Sequence, residues 1–268
     1  MNDASFPGVL NVRRFAMARA VFALILREMS TTYGRSPGGY VWAIAEPLGA
    51  VAILSVTFSL ITRHPPLGHN FVLFYASGFL PLAAYQNISG KIAAAIRFSR
   101  PLLAYPTVTY VDAIVARILL SILTDLLVSV ILFGVTLTVI RDSVSLDYIA
   151  LLRCIGMVVV FATGIGLVNC FLTSVLPIWQ FVWAVISRPM FLVSGVMFLI
   201  DDMPAQIRDY LLYLPMTHFI SMSRAGFYSS YQAVYVSEAY VYGVSLVLIA
   251  FGMLMLHRFH RNMMNEWG

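Results

Sequence analysis

The stretch TTYGRSPGGYVWAIAEPLG, residues 31–49, is where a polar N-terminal arm meets the first long apolar segment of the chain. The basic residue Arg35 is followed by Pro37, Gly38 and Gly39. Two adjacent glycines permit a bend, and Pro37 disfavours a helical conformation at the residue before it. The stretch therefore predicts a turn or bend directly ahead of a long apolar helix.

The composition of the whole chain indicates where most of its surface lies. Hydrophobic residues make up 60% and charged residues 11% of the 268 residues, and the mean hydropathy is +0.85. A soluble domain carries about 25% charged residues. So few charges cannot cover a water-exposed surface, and the composition predicts a polytopic membrane protein.

A membrane-spanning helix needs about 20 mostly apolar residues. About six such segments are predicted, at residues 42–62, 71–90, 113–140, 149–175, 181–200 and 239–257. Small residues recur every four positions in the fourth segment and predict a helix-packing seam, at Ala162, Gly166, Cys170 and Ser174. The expected fold class is an all-α integral membrane protein with six transmembrane helices.

The basic residues indicate the orientation of these helices. They concentrate in the N-terminal arm, in the link after the second segment, where Lys91, Arg97 and Arg100 lie, and in the C-terminal tail. With six spans all three regions face one side, and basic loops are typically cytoplasmic. Both termini are therefore expected in the cytoplasm.

The N-terminal arm predicts an amphipathic helix over about residues 9–30 that lies in the membrane interface. Val21, Ile25 and Leu26 fall on its apolar face, and Glu28 falls mostly away from that face. Such a helix is either a simple anchor or a docking element for a cytoplasmic partner. The expected domains are an interface helix and arm at residues 1–34 and a transmembrane domain at residues 35–268.

The long external stretch before the last span, residues 201–238, is too apolar for a solvated loop and too broken by Pro204, Pro215 and Gly226 to span. Short re-entrant or interfacial helices fit this pattern. Backbone that breaks at membrane depth must be covered by protein or line a cavity.

Polar residues within the third segment recur at four-residue spacing, at Arg117, Ser121 and Asp125. Charges inside a span are costly and face a bundle interior or water. These residues form either a structural ion pair or the polar wall of a pathway. The aromatic residues Tyr40, Trp42, Trp179 and Trp183 are either interfacial belt anchors or pathway residues that stack on sugar rings.

Several kinds of catalytic site are missing from the sequence. There is no GxxxxGK[ST] phosphate loop, no HExxH, no GxSxG and no cysteine–histidine metal spacing. An intramembrane acyltransferase would need a cluster of catalytic acids or histidines, and an ion-coupled carrier would need inverted repeats. Neither pattern is visible, so the chain is expected to bind no metal and to have no ATP site of its own.

The segment LREMSTTYGRSPGGYVWAIAEPL, residues 26–48, resembles the start of the membrane subunits of ABC type-2 exporters. The pattern G-Y-x-W-A-x-x-E-P of that family falls on Gly39, Tyr40, Trp42, Ala43, Glu46 and Pro47. A second segment, YLPMTHFISMSRAGFYSSY, is similar to the family pattern before the last helix, although Leu214 stands where the pattern has Asn. Among these exporters the chain looks most like capsular polysaccharide export permeases of Gram-negative bacteria.

The resemblance implies a transport subunit of the bacterial inner membrane, which moves a lipid-linked polysaccharide and is not itself an enzyme. It implies a homodimer of this chain with two copies of a separate ATPase, which binds the ATP and Mg. Periplasmic or outer-membrane export proteins are further expected partners. Exporters of O-antigen, teichoic acid, lipids or drugs share much of the pattern and remain alternatives.

The resemblance also implies roles for particular residues. The docking and coupling elements fall on Arg27, Arg35, Lys91, Arg97 and Arg100. Pro37, Gly38 and Gly39 would form a hinge that passes closure of the ATPase to the first span.

Overall fold

The computed structural model describes residues 16–32, 40–103, 109–139 and 146–265. Ten α-helices occupy this part of the chain: α1 (Ala16–Thr32), α2 (Tyr40–Ile61), α3 (Phe71–Ala93), α4 (Ala95–Leu103), α5 (Tyr110–Val139), α6 (Tyr148–Val175), α7 (Trp179–Val193), α8 (Ala205–Leu211), α9 (Pro215–Phe227) and α10 (Glu238–Asn265). One turn of 3-10 helix at Ile200–Asp202 separates α7 from α8. No strand occurs within these described ranges, and the predicted all-α class is confirmed.

Helix α6 lies at the centre of the bundle and packs mainly against α10, α3 and α9. Its small residues permit close approach, since a side chain at Gly166 would meet the Cβ atom of Ile92 at 2.7 Å. Ala162 and Cys170 on the same row are fully buried. The predicted packing seam is therefore the contact between α6 and α3.

Four of the predicted spans are confirmed as helices long and apolar enough to cross a membrane, namely α2, α5, α6 and α10 within the described residues. Helix α3 is 23 residues long but includes polar side chains such as Gln86 and Asn87, and it is not among the four. Helix α7 has only 15 residues. Its predicted end at residue 200 is wrong, because the chain turns at Gly195, whose φ of 84° belongs to the left-handed region.

Helix α1 packs along α5 rather than standing apart from the bundle. Val21 and Leu24 are buried against Ala116, whereas Phe22 and Leu26 are exposed. The prediction that Glu28 lies away from the packed face is wrong, since only 8% of this residue is exposed. Residues 1–15, where the predicted helix begins, lie outside the described part of the chain.

The predicted short helices before the last span are confirmed as α8 and α9. Helix α9 begins at Pro215. Proline suits the first turn of a helix, because the backbone N–H that it lacks would have no intrahelical partner at that position. Nearly all of its side chains are buried, and it packs against α6 and α3. A helix too short to span is thus enclosed by protein, as its polar backbone ends require.

Candidate functional site

The main cluster of charged groups lies where α1, α3, α4 and α5 meet. The Arg117 guanidinium of α5 lies 3.2 Å from the Glu28 carboxylate of α1. It also donates a hydrogen bond of 2.8 Å to the backbone carbonyl of Lys91. Its central carbon lies 4.1 Å from the centre of the Phe98 ring of α4. These four residues are called the Arg117 cluster below.

Burial makes the Arg117 cluster sensitive to the loss of any member. The side chains of Arg117 and Glu28 are 6% and 11% exposed. Burial raises the pKa of the Glu28 carboxyl, and the charges of Arg117, Lys91 and Arg27 oppose that shift. Buried charges of this kind are tolerated only with a close partner of opposite sign. The cluster therefore fixes α1 and α4 against α5.

The polar row predicted on α5 continues from this cluster toward the other end of the helix. Ser121 and Asp125 are both buried. An Asp125 oxygen accepts a hydrogen bond of 3.1 Å from the Asn87 side chain of α3. The second Asp125 oxygen and the Ser121 hydroxyl have no hydrogen-bond partner among the described residues. The row thus lies along the contact of α5 with α3, with two acceptors left over.

The predicted docking residues separate into three groups. Lys91 belongs to the Arg117 cluster through its backbone carbonyl, and the Arg27 guanidinium lies 6.0 Å from the Phe98 ring. Arg97 is exposed and donates a hydrogen bond of 2.9 Å to the Gln180 side chain of α7. Arg100 lies within α4, but its side chain is outside the described set, as is the whole of Arg35.

The predicted aromatic residues do not form one surface. Trp179 donates a hydrogen bond of 2.9 Å to the Asn169 side chain of α6. The ring of Trp183 lies 6.5 Å from that of Trp179, so both occupy the start of α7. Trp42 on α2 is 64% exposed. The Tyr40 side chain and the whole of the predicted hinge, residues 37–39, lie outside the described part of the chain.

A second buried cation lies on α9, at Arg224, a residue of the second family-like segment. Its guanidinium donates to the backbone carbonyls of Val196 and Phe198 at 2.8 and 2.9 Å. It also stacks 4.3 Å from the centre of the Phe74 ring of α3. Arg224 therefore supplies hydrogen bonds to the non-helical segment that follows α7.

Sequence reasoning missed three participants in the Arg117 cluster and the polar row of α5. Glu28 was assigned to the wrong face, and Phe98 and Asn87 were not singled out. A single amide within an apolar segment was the available signal for Asn87, because such groups are costly in lipid. No local pattern pointed to Phe98, whose role depends on a residue of another helix.

The fold and these clusters define a multi-pass α-helical membrane protein. A sequence model of the ABC-2 type transporter family matches residues 19–228. The match covers well over half of the chain, and the chain belongs to the ABC-2 type transporter family. It is therefore a membrane transport subunit, and the family works with an ABC ATPase partner that uses ATP and Mg.

Curated relatives cover nearly the full length of the chain. It is 29% identical to the capsule polysaccharide export inner-membrane protein CtrC of Neisseria meningitidis serogroup A over 243 residues, which is 91% of this chain and 92% of that protein. It is 29% identical to the polysialic acid transport protein KpsM of Escherichia coli over 233 residues, covering 87% and 90%. It is 24% identical to the capsule polysaccharide export inner-membrane protein BexB of Haemophilus influenzae over 243 residues, covering 91% and 92%. The inner-membrane relatives and the apolar helices agree on a multi-pass inner-membrane location.

Proposed function

We propose that this chain is the permease subunit of an ATP-driven exporter that moves lipid-linked capsular polysaccharide across the bacterial inner membrane. The observation that supports the substrate is the similarity over about nine tenths of the chain to proteins named for capsule polysaccharide and polysialic acid transport. The absence of a phosphate-loop motif from the sequence agrees with ATP hydrolysis on a separate subunit.

In this proposal two copies of the chain associate with two ATPase subunits, and export proteins of the periplasm or outer membrane can join them. Each copy has an interface arm at residues 1–34 and a transmembrane domain at residues 35–268. Helices α3 and α7 complete a set of six crossings with both termini in the cytoplasm. The placement of the basic residues, including Lys91 at the end of α3 and Arg97 on α4, supports this orientation.

Coupling to the ATPase is assigned to Arg27, Arg35, Lys91, Arg97 and Arg100, with residues 37–39 as the hinge. The contacts of the Arg117 cluster support this assignment, because they join α1 and α4 to the spanning helix α5. Closure of the ATPase would displace α1 and α4 together. The buried ion pair would then pass the displacement to α5.

The substrate pathway is assigned to Tyr40, Trp42, Arg117, Ser121, Asp125, Trp179 and Trp183. Aromatic rings offer an apolar face with a polar edge, which suits the faces of sugar rings. The polar contact of Asp125 with Asn87, between α5 and α3, supports the polar part of this set.

The test is complementation of a bacterium whose own capsule permease has been deleted, with this chain expressed together with the ATPase encoded beside it. We expect surface polysaccharide to return, and a variant ATPase that cannot hydrolyse ATP to abolish it. Co-purification of the two proteins and ATP turnover in lipid, with and without this chain, measure coupling directly. Stable ATPase binding without any return of polysaccharide would contradict the proposed substrate but not the assignment to a class of transporter.

The coupling residues are tested in the same strain with Arg97→Ala and Arg153→Ala. Both arginines are on the surface, but only Arg97 lies on α4, and Arg153 pairs with Glu238 at 3.5 Å. We expect Arg97→Ala to lower ATPase stimulation and export, and Arg153→Ala to leave both unchanged. Equal effects of the two variants would contradict a specific role for α4.

A further inference from the structure

One face of α3 changes from covered to uncovered halfway along the helix. Ala76 and Leu80 are buried in a cluster with Val51 of α2 and Val128 of α5. Asn87 follows Leu80 by seven residues and so lies on the same helix face. Yet Asn87 is exposed, so this face is not covered at the position of Asn87.

The uncovered half of that face is polar. Asn87 is exposed on this face, and Gln86 is exposed about 100° around the helix from it. Gly90, one turn beyond Gln86, has open space where a side chain would stand. Asn87 reaches across to Asp125 of α5. The second oxygen of Asp125 stays unpaired among the described residues, as does Ser121 one turn along α5. The exposed amides of Gln86 and Asn87 therefore border the groove between α3 and α5, whereas Ser121 and Asp125 are buried within the contact of these two helices.

Lipid is an unsuitable neighbour for this groove. Amide groups that face hydrocarbon without hydrogen-bond partners are strongly disfavoured. The exposed apolar surface of α5, called its lipid-type face below, lies on the opposite side of the helix, where Leu123 and Leu127 are more than half exposed. The groove is thus built for water or for a polar ligand.

We propose that Gln86 and Asn87 form a wall of the polysaccharide pathway and bind the hydroxyl groups of the passing sugar chain. A side-chain amide both donates and accepts hydrogen bonds, as a sugar hydroxyl does, and so matches it in either direction. The buried Asp125 carboxylate accepts a hydrogen bond from Asn87 and so fixes the orientation of its amide. This inference rests on the proposed function and adds α3 residues that the sequence did not single out.

The first test measures access to water in the assembled transporter with its ATPase. Gln86→Cys and Asn87→Cys are labelled with a charged thiol reagent in a background where Cys154 and Cys170, both buried, are replaced by Ala. Leu123→Cys on the lipid-type face is the matched control. Since the thiolate forms only in water, we expect labelling at 86 and 87 to be about tenfold faster than at 123. Equally slow labelling at all three positions, as lipid or a second copy covering the groove would give, overturns the proposal.

The second test asks whether the sugar occupies the groove. An ATPase variant that binds but does not hydrolyse ATP would hold polysaccharide in the pathway, and we expect it to slow labelling at 87 in producing cells but not in cells that make no polysaccharide. Asn87→Leu should reduce export several-fold, while Asn87→Gln, which keeps the amide, should stay near the unmodified chain. Both variants should still co-purify with the ATPase. Fast labelling without protection, together with normal export by Asn87→Leu, would leave only a hydrated groove and overturn sugar binding.

The failure of this inference is distinguishable from failure of the proposed function. The unmodified chain restores capsule if the proposed function holds, whatever the variants at 86 and 87 do. If the unmodified chain restores no polysaccharide at all, the substrate is wrong before the groove is tested.

Discussion

Glu28 and Arg117 form an ion pair of 3.2 Å between α1 and α5, with side chains that are only 11% and 6% exposed. Each charge is separated from water and depends on the other. Removing one partner of a buried pair typically costs about 3–5 kcal/mol, because the remaining charge is left without compensation. Removing both with groups of similar volume costs far less.

The ion pair predicts a strongly non-additive pair of substitutions. We expect Arg117→Met to lower the thermal unfolding midpoint of the detergent-solubilised protein markedly. Glu28→Gln should lower it less, because Arg117 keeps the Lys91 carbonyl and the Phe98 ring and can donate to the new amide oxygen. The double variant should be more stable than Arg117→Met alone. Thermal denaturation of the four proteins gives the coupling energy directly.

Additive effects of the two substitutions would contradict the buried pair. Arg19→Met serves as the control, because Arg19 lies on α1 at an exposed position, where ionic contacts contribute only roughly 0–1 kcal/mol. A small change there, beside a large one for Arg117→Met, would show that the loss comes from the buried cluster and not from a charge on α1.

The apolar helices could be predicted because hydropathy is a local property of the sequence, and α2, α5, α6 and α10 all lie close to their predicted positions. The end of α7 could not, since the residues after Val193 stay apolar up to Ile200. The turn there uses Gly195 and hydrogen bonds from Arg224, a residue of another helix. A prediction from neighbouring residues in the sequence has no information about a contact with another helix.

The same reason explains the incomplete prediction of the site. Arg117, Ser121 and Asp125 were singled out because charge inside an apolar segment is conspicuous in the sequence itself. Their partners Glu28 and Asn87 come from other helices and are identified only by packing. An amphipathic pattern considered for α1 alone placed Glu28 with the exposed charges, because the pattern holds no information about α5.

Two glycines of α10 predict opposite outcomes for one substitution. A Cβ at Gly252 would lie 2.7 Å from the Leu167 Cβ and 3.1 Å from the Val168 nitrogen on α6, whereas nothing lies within 4 Å at Gly243. We expect Gly252→Ala to destabilise the protein by forcing α10 away from α6. Gly243→Ala should be neutral or stabilising by up to about 1 kcal/mol, since alanine favours helix. Thermal unfolding of both variants checks this, and a stable Gly252→Ala would contradict the close packing.

The contacts of Arg224 predict that lysine cannot replace arginine at this position without a loss of stability. An ammonium group cannot donate to both carbonyls while lying flat against Phe74, as the guanidinium does. We expect Arg224→Lys to lower the unfolding midpoint and to increase protease cleavage within residues 194–204. Gly78→Ala should act in the same direction, because its Cβ would lie 3.0 Å from an Arg224 nitrogen.

The control for Arg224 is Arg153→Lys, since Arg153 is 55% exposed and its pair with Glu238 lies near the surface. Exposed ion pairs contribute roughly 0–1 kcal/mol. No measurable effect is expected there. If Arg224→Lys were equally silent, the two backbone hydrogen bonds would not be holding the segment after α7.

His218 of α9 predicts a loss of stability in mild acid. One ring nitrogen, Nε2, donates to the Leu212 carbonyl at 2.9 Å, and the other, Nδ1, accepts from the backbone N–H of Ser237 at 3.3 Å. Only the neutral imidazole can make both bonds. Burial lowers the pKa of His218, and the bond to Leu212 opposes that shift.

The sign of the effect follows from the two states of the chain. An unfolded histidine has a pKa of about 6.5, so the unfolded chain binds the proton first as the pH falls. The stability contributed by neutral His218 is therefore complete above about pH 6.5 and is lost as the pH falls through the lower pKa of the folded state. We expect the thermal unfolding midpoint of the protein to decrease as the pH is lowered from about 7.5 to about 5. His218→Gln should have a flatter profile, whereas His64→Gln, at an exposed position, should keep the slope of the unmodified chain. Identical slopes for His218→Gln and the unmodified protein would assign the acid sensitivity to other groups and contradict a neutral, buried His218.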